Sequence, residues 1–125
     1  MAGNNDACFL MNGKIIEIPS KDLFKNSMKV CFPEVGMLEV YPNRDSILYK
    51  EIYGIEEAKT MMRGTFRYPG WCVTIDTMKA LNLISYDKYN FAGKTYAEFV
   101  GMMIGIEDAS GIRQKVADYL GIALS

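Results

Sequence analysis

The chain has 125 residues, half of them hydrophobic, and a formal net charge of −1. That is enough for one domain, or part of one, with a real core, and it excludes wholesale disorder. A near-zero charge gives no reason to expect nucleic acid as a partner, and no apolar run reaches the roughly 18 residues of a membrane span.

The opening "MAGNNDACFL" shows no basic region followed by an apolar one, so no secretory signal is read there. Cys8, Cys31 and Cys72 show no CxxC spacing, and the chain has no histidine. A reduced, cytoplasmic protein is expected. Histidine-ligated zinc and Cys-His or Ser-His-Asp catalysis within this chain are excluded. The cysteines read as small core hydrophobes.

In "FLMNGKIIEIPS", Asn12-Gly13 between apolar groups favours a type I′ turn. Lys14–Ile18 then reads as a strand ended by Pro19. "SKDLFKN" predicts a brief helical turn with Ser20 as its cap. Met28–Phe32 and Gly36–Tyr41 read as strands, broken by Pro33 and Gly36. "NRDSILYKEIYGI" predicts a helix capped by Asn43 or Asp45 and stopped by Gly54, with Leu48 and Ile52 on one face.

"AKTMMRGTFRYPG" returns to β character, and Gly64 within it signals a bulge or a close backbone approach. From Trp71 to about Leu83, Trp71, Ile75 and Met78 lie near one face of an amphipathic helix. "SYDKYNFAGK" reads as a loop. Thr95 and Glu98 have capping-box spacing before a helix carrying Phe99 and Met103. Ile112, Val116 and Leu120 form the stripe of a last helix that stops at Gly121. Strands with an early helix, then helices, suggest an α+β fold with a mostly antiparallel or mixed sheet. No strand is followed by GxGxxG, and there is no Walker sequence.

Two stretches could carry chemistry. In "YPNRDS" (Tyr41 to Ser46), Asn43, Arg44 and Ser46 can donate to a carboxylate, and Asp45 can cap a helix or hold Arg44. In "MMRGTFRYPGW" (Met61 to Trp71), Arg63 and Arg67 have even spacing, so a regular strand points both to one side with Thr65 between them. Gly64, Phe66 and Tyr68 alternate on the other side. The arginines are either a solvated face paired with acidic residues or a wall that binds carboxylates through bidentate bonds. A bulge at Gly64 would separate them. Tyr68 and Trp71 read as core packing or as an aromatic rim. No pair of carboxylates stands out as a general acid and base.

Taken together, "NGKIIEIP", "YPNRDS", "YGI", "EAKTMMRGTFRYPGW", "ALNLI" and "GKTYAEFV" resemble saccharopine dehydrogenase of the glutamate-forming type, which is also the dehydrogenase half of aminoadipic semialdehyde synthase. The resemblance covers Phe9 to Gly105 well and the tail more loosely. "RGTF" has phenylalanine where the family would have leucine, a core-sized change.

The resemblance implies a two-domain enzyme, with a nucleotide-binding Rossmann half and an inserted glyceraldehyde-3-phosphate-dehydrogenase-like domain for substrate and dimerisation. This chain is similar to the later part of the inserted domain and lacks the Rossmann half. Residues 1–125 are therefore read as a single domain or fragment of a longer polypeptide. The implied reaction interconverts saccharopine with aminoadipic semialdehyde plus glutamate in lysine metabolism, using NAD or NADP held outside this chain. Alone, the chain is expected to be inactive and to bind no cofactor.

The implied partners are saccharopine or a similar tricarboxylate, the missing Rossmann half and, optionally, a second copy. Asn43 and Arg44 are the expected substrate contacts, and Arg63, Thr65 and Arg67 are placed at or near the cleft. The catalytic acid and base are expected in the missing part. Two other readings remain: a non-catalytic dimerisation or interaction module of this fold, and a related imine-reducing dehydrogenase of the carboxynorspermidine type.

Overall fold

The computed structural model describes residues 2–124. They form an α+β fold of two compact units, Met1–Thr74 and Ile75–Ser125. Among the described residues, no helix is long and apolar enough to cross a membrane.

The first unit begins with a hairpin of β1 (Ala7–Met11) and β2 (Lys14–Ile18), antiparallel with Ala7 opposite Ile18 and Met11 opposite Lys14. Asn12 and Gly13 join them with φ of 51° and 78°. Two successive positive φ values are what a type I′ turn requires. Two short 3₁₀ turns follow, Ser20–Asp22 and Phe24–Asn26. Ser20 does not cap them. It lies inside the first turn, and its own N–H donates to Asp6 Oδ1 at 2.7 Å. The capping oxygen thus comes from fourteen residues upstream, which local spacing could not reveal.

The second sheet has the order β3 (Met28–Phe32), β4 (Gly36–Pro42), β5 (Gly64–Arg67), all antiparallel. Phe24, Tyr41 and Trp71 form an aromatic cluster. Phe24 meets both other rings edge-on at 5.1 and 5.5 Å, and Tyr41 lies flat on Trp71 at 5.5 Å. Each such pair contributes about 0.5–1.5 kcal/mol beyond its buried area. Leu23, Phe24, Val40, Tyr41 and Cys72 are buried here, as are Ala7, Phe9 and Ile18 of the hairpin.

The helix expected from "NRDS" onward is much shorter, a single turn α1 (Tyr49–Ile52). Neither Asn43 nor Asp45 caps it. Asp45 Oδ1 accepts from Ile47 N at 2.8 Å, closing an Asx turn before the helix. The chain from 43 to 46 is held out of a helix instead by its neighbours, with Arg44 in a left-handed conformation. Its end is as expected: Gly54 at φ 63° gives Gly54 N to Glu51 O and Ile55 N to Lys50 O, a Schellman stop. The predicted apolar face does not pack, since Leu48 and Ile52 are exposed.

Helix α2 (Trp71–Ala80) begins in the first unit. It ends earlier than expected, because Asn82 adopts φ 57° and Leu83 N turns back to Met78 O. Asparagine serves at that position as a second choice to glycine.

In the second unit, α3 (Tyr96–Met103) starts with the expected capping box. Glu98 N donates to Thr95 Oγ1 at 3.3 Å, and Thr95 N donates to Glu98 Oε2 at 2.7 Å. The Thr95 N–H and hydroxyl, both donating to Glu98 Oε2, hold the Glu98 carboxyl below its usual pKa. α4 (Ile112–Leu120) stops at Gly121, φ 67°. Its stripe of Ile112, Val116 and Leu120 is half-buried around the buried Ala117. Asn82 Nδ2 donates to Met103 O at 2.8 Å.

Candidate functional site

"YPNRDS" ties the hairpin to the three-stranded sheet. Asn43 N donates to Arg63 O at 2.8 Å, which carries the β4–β5 ladder one residue further. Cys8 N donates to Arg44 O at 3.1 Å, and Ser46 N to Cys8 O at 2.8 Å. The fully buried Ser46 accepts from Arg63 N at 2.8 Å. Each residue of the stretch is thus fixed by a strand from another part of the chain.

Arg44 has a φ of 62°. A left-handed backbone costs a residue with a Cβ about 1–2 kcal/mol, and such strain persists where surroundings over-determine it. Its side chain is exposed.

The ladder settles what Gly64 does. Pairing is regular: Glu39 with Arg67, Val40 with Phe66, Tyr41 with Thr65 and Pro42 with Gly64. There is no bulge. Gly64 is a close approach, because a Cβ there would lie 2.7 Å from Val40 Cγ2 and 3.2 Å from Tyr41 O. Arg67, Thr65 and, by the extended ladder, Arg63 therefore face the same side as Glu39, Tyr41 and Asn43.

That side is occupied unevenly. Asn43 Nδ2 meets Thr65 Oγ1 at 3.3 Å, while Asn43 Oδ1 is buried and accepts no hydrogen bond. In either orientation of the amide, one buried polar end is left without a hydrogen bond. Arg63 Nη1 reaches Tyr49 Oη at 3.4 Å. It borders a groove of about 370 Å³ with Tyr49, Tyr53, Met61 and Met62. At the other end Arg67 lies over the Trp71 ring, 4.7 Å from its centroid, and donates to Phe66 O at 3.1 Å.

Sequence spacing brought Arg63, Thr65 and Arg67 to one side correctly, and the ladder adds Asn43 to it, but each arginine has its own aromatic support. Among the described residues, none of Arg44, Arg63 and Arg67 forms an ion pair with an aspartate or glutamate. The solvated, acid-paired face is therefore not what forms.

Two expectations are corrected here. Tyr68 is 74% exposed and not a core residue, because it leaves β5 at its free end just before the Pro69-Gly70 turn. Cys31 is exposed on β3, at the sheet's edge, and only Cys72 is fully buried. Burial and the nearby Glu39 push the Cys72 thiol up to about 11, so it is an inert packing group.

Glu39 is the residue that spacing missed. It is buried, and its Oε1 accepts from Cys72 N at 2.7 Å. The available signal was an acidic residue in an otherwise apolar strand, at the same parity as Tyr41. Glu39 also bears on the cofactor. A dinucleotide needs a strand-to-helix turn whose N–H groups face its pyrophosphate. The β5–α2 turn already gives the Cys72 N–H to a carboxylate, and its strands are antiparallel, so these residues do not fit a dinucleotide.

Residues 1–123 match the family model described as saccharopine dehydrogenase C-terminal domain. The chain belongs to that family. Relatives include mouse mitochondrial alpha-aminoadipic semialdehyde synthase, 44% identical over 85 residues, which are 66% of this chain and 9% of the synthase. Another is the NADP(+), L-glutamate-forming saccharopine dehydrogenase of Schizosaccharomyces pombe, 49% identical over 72 residues, 57% of this chain and 16% of that protein. The fold superimposes on the apo L-Glu-forming saccharopine dehydrogenase of Saccharomyces cerevisiae with a TM-score of 0.79 at 27% identity, covering 94% of this chain and 27% of that one. The chain thus spans a small part of each relative.

Proposed function

We propose that this chain is the substrate-side portion of a glutamate-forming saccharopine dehydrogenase in lysine metabolism, with Asn43, Arg44, Arg63, Thr65 and Arg67 binding saccharopine. The observation that carries the reading is that, among the described residues, Arg44, Arg63 and Arg67 of the two motifs form no ion pair with an acidic residue. A ligand with three carboxylates supplies what they lack, and the planar guanidinium is suited to binding each one through two bonds.

In this reading another part of the polypeptide would hold NADP, which would supply the hydride acceptor for cleaving saccharopine into semialdehyde and glutamate. The residues of this chain bind and orient: Asn43 and Thr65 fix a polar group between them, and the arginines hold the carboxylates. The isolated chain transfers no hydride. Its free cysteines support a reducing compartment such as the cytoplasm, whereas the name of the mouse relative places that protein in mitochondria.

Isothermal calorimetry on the 125-residue chain tests the reading. Half a cleft should bind saccharopine at about millimolar Kd, more tightly than carboxynorspermidine, with no heat from NADP. Equal or tighter binding of carboxynorspermidine would reassign the substrate. The dimerisation reading draws on the exposed Leu48, Ile52 and Tyr53. Concentration-dependent self-association without any saccharopine heat would favour it.

A further inference from the structure

We infer that Glu39 is a positioning residue for Arg67, acting through the first turn of α2 and the Trp71 ring. This rests on the substrate-side reading and adds to it a residue that touches no ligand. Glu39 and Arg67 stand directly opposite in the β4–β5 ladder, where opposite charges ordinarily attract across strands. They form no ion pair. Glu39 turns to Cys72 N at 2.7 Å, and the Arg67 guanidinium lies 4.7 Å over the indole of the preceding residue, Trp71.

The two placements are linked by the start of α2. The Glu39 bond fixes the second residue of the helix. That holds the Trp71 ring within 5° of parallel to the Tyr41 ring, with Phe24 edge-on at 5.5 Å. The indole so held carries the guanidinium. Burying a carboxyl group is expensive, and a short Ser, Asp or Asn could serve a helix start at lower cost. What the long buried side chain adds is diversion: with its oxygen committed to Cys72 N, Glu39 does not neutralise Arg67. Arg67 is thus supported from below by an aromatic face and keeps N–H donors for an anion.

The test uses the intact chain, labelled with ¹⁵N-arginine. In the wild type, the Arg67 side-chain Hε resonance carries the upfield ring-current shift of Trp71. Glu39→Gln keeps an acceptor of the same length and should retain that shift. Glu39→Met keeps the volume but removes the acceptor and should move the resonance to the position of an exposed arginine. If Glu39→Met does not fold, Glu39→Asp, which draws the carboxylate back by one methylene, replaces it with the same expected loss.

Saccharopine affinity is then compared. Glu39→Met and Arg67→Ala should each weaken binding about tenfold, and the double variant should be no weaker than Arg67→Ala alone. Multiplying effects, or an Arg67 resonance unmoved by loss of the acceptor, would overturn the inference. If the wild type binds no saccharopine, the substrate reading fails, and the Arg67 shift alone still decides the positioning role.

Discussion

Gly64→Ala tests the geometry that places Arg63 and Arg67 on one side. Gly64 does not have a positive φ, so alanine meets no backbone strain there. The cost is steric: the new Cβ would sit 2.7 Å from Val40 Cγ2, 3.2 Å from Tyr41 O and 3.3 Å from Met62 Cε. The methionine end can move. Val40 is 4% exposed and packed, and Tyr41 O belongs to the ladder. Overpacking of this kind costs about 1–3 kcal/mol, and alanine's stiffer unfolded chain returns about 0.4–1 kcal/mol. A net loss of about 1–2 kcal/mol should appear in urea unfolding as a lower midpoint with an unchanged slope.

Val40→Ala alone should cost about 1–3 kcal/mol for the lost methyls. Because it removes the Cγ2 that clashes, the double variant should be more stable than the sum of the two by about 1 kcal/mol. Strict additivity, or a Gly64→Ala protein as stable as the wild type, would refute the close approach and reopen the bulge.

Three further outcomes are expected. Arg44→Gly removes left-handed strain of about 1–2 kcal/mol and adds about 0.5–1 kcal/mol of glycine entropy, so thermal unfolding should show equal or higher stability while saccharopine binding falls. The Cys72 thiol ionises near 9 when unfolded and near 11 when folded. Between those values the unfolded chain has lost a proton that the folded chain keeps, so stability should fall as pH rises from 9 to 11; Cys72→Ser should show a flatter profile in denaturant titrations. Thr95→Ala removes the side-chain acceptor of the α3 capping box, leaving the backbone N–H of residue 95 on Glu98, and should cost about 1 kcal/mol, with amide-exchange protection lost first at Tyr96 to Glu98.

The fold was legible where the determining chemistry is local. Asn12-Gly13, Gly54, Gly121 and the Thr95/Glu98 pair each act within a few residues, and each does what its type implies. It was illegible where a distant partner decides. Asp6 caps the turn at Ser20, and the strands around "YPNRDS" hold Asn43 to Ser46 out of a helix, so the expected helix shrinks to one turn. At the site, alternation along β5 grouped Thr65 with Arg67, but only the register with β4 could distinguish close approach from bulge at Gly64. Glu39 stayed hidden because its role depends on the first residues of α2, Trp71 and Cys72, meeting β4.

The most direct test is a residue-resolved NMR titration of the labelled chain with saccharopine. The account predicts saturable shifts at the side chains of Asn43, Arg44, Arg63 and Arg67 and at the Thr65 amide, with α4 unmoved. Saturable shifts elsewhere, or none at these five residues at tens of millimolar ligand, would contradict it.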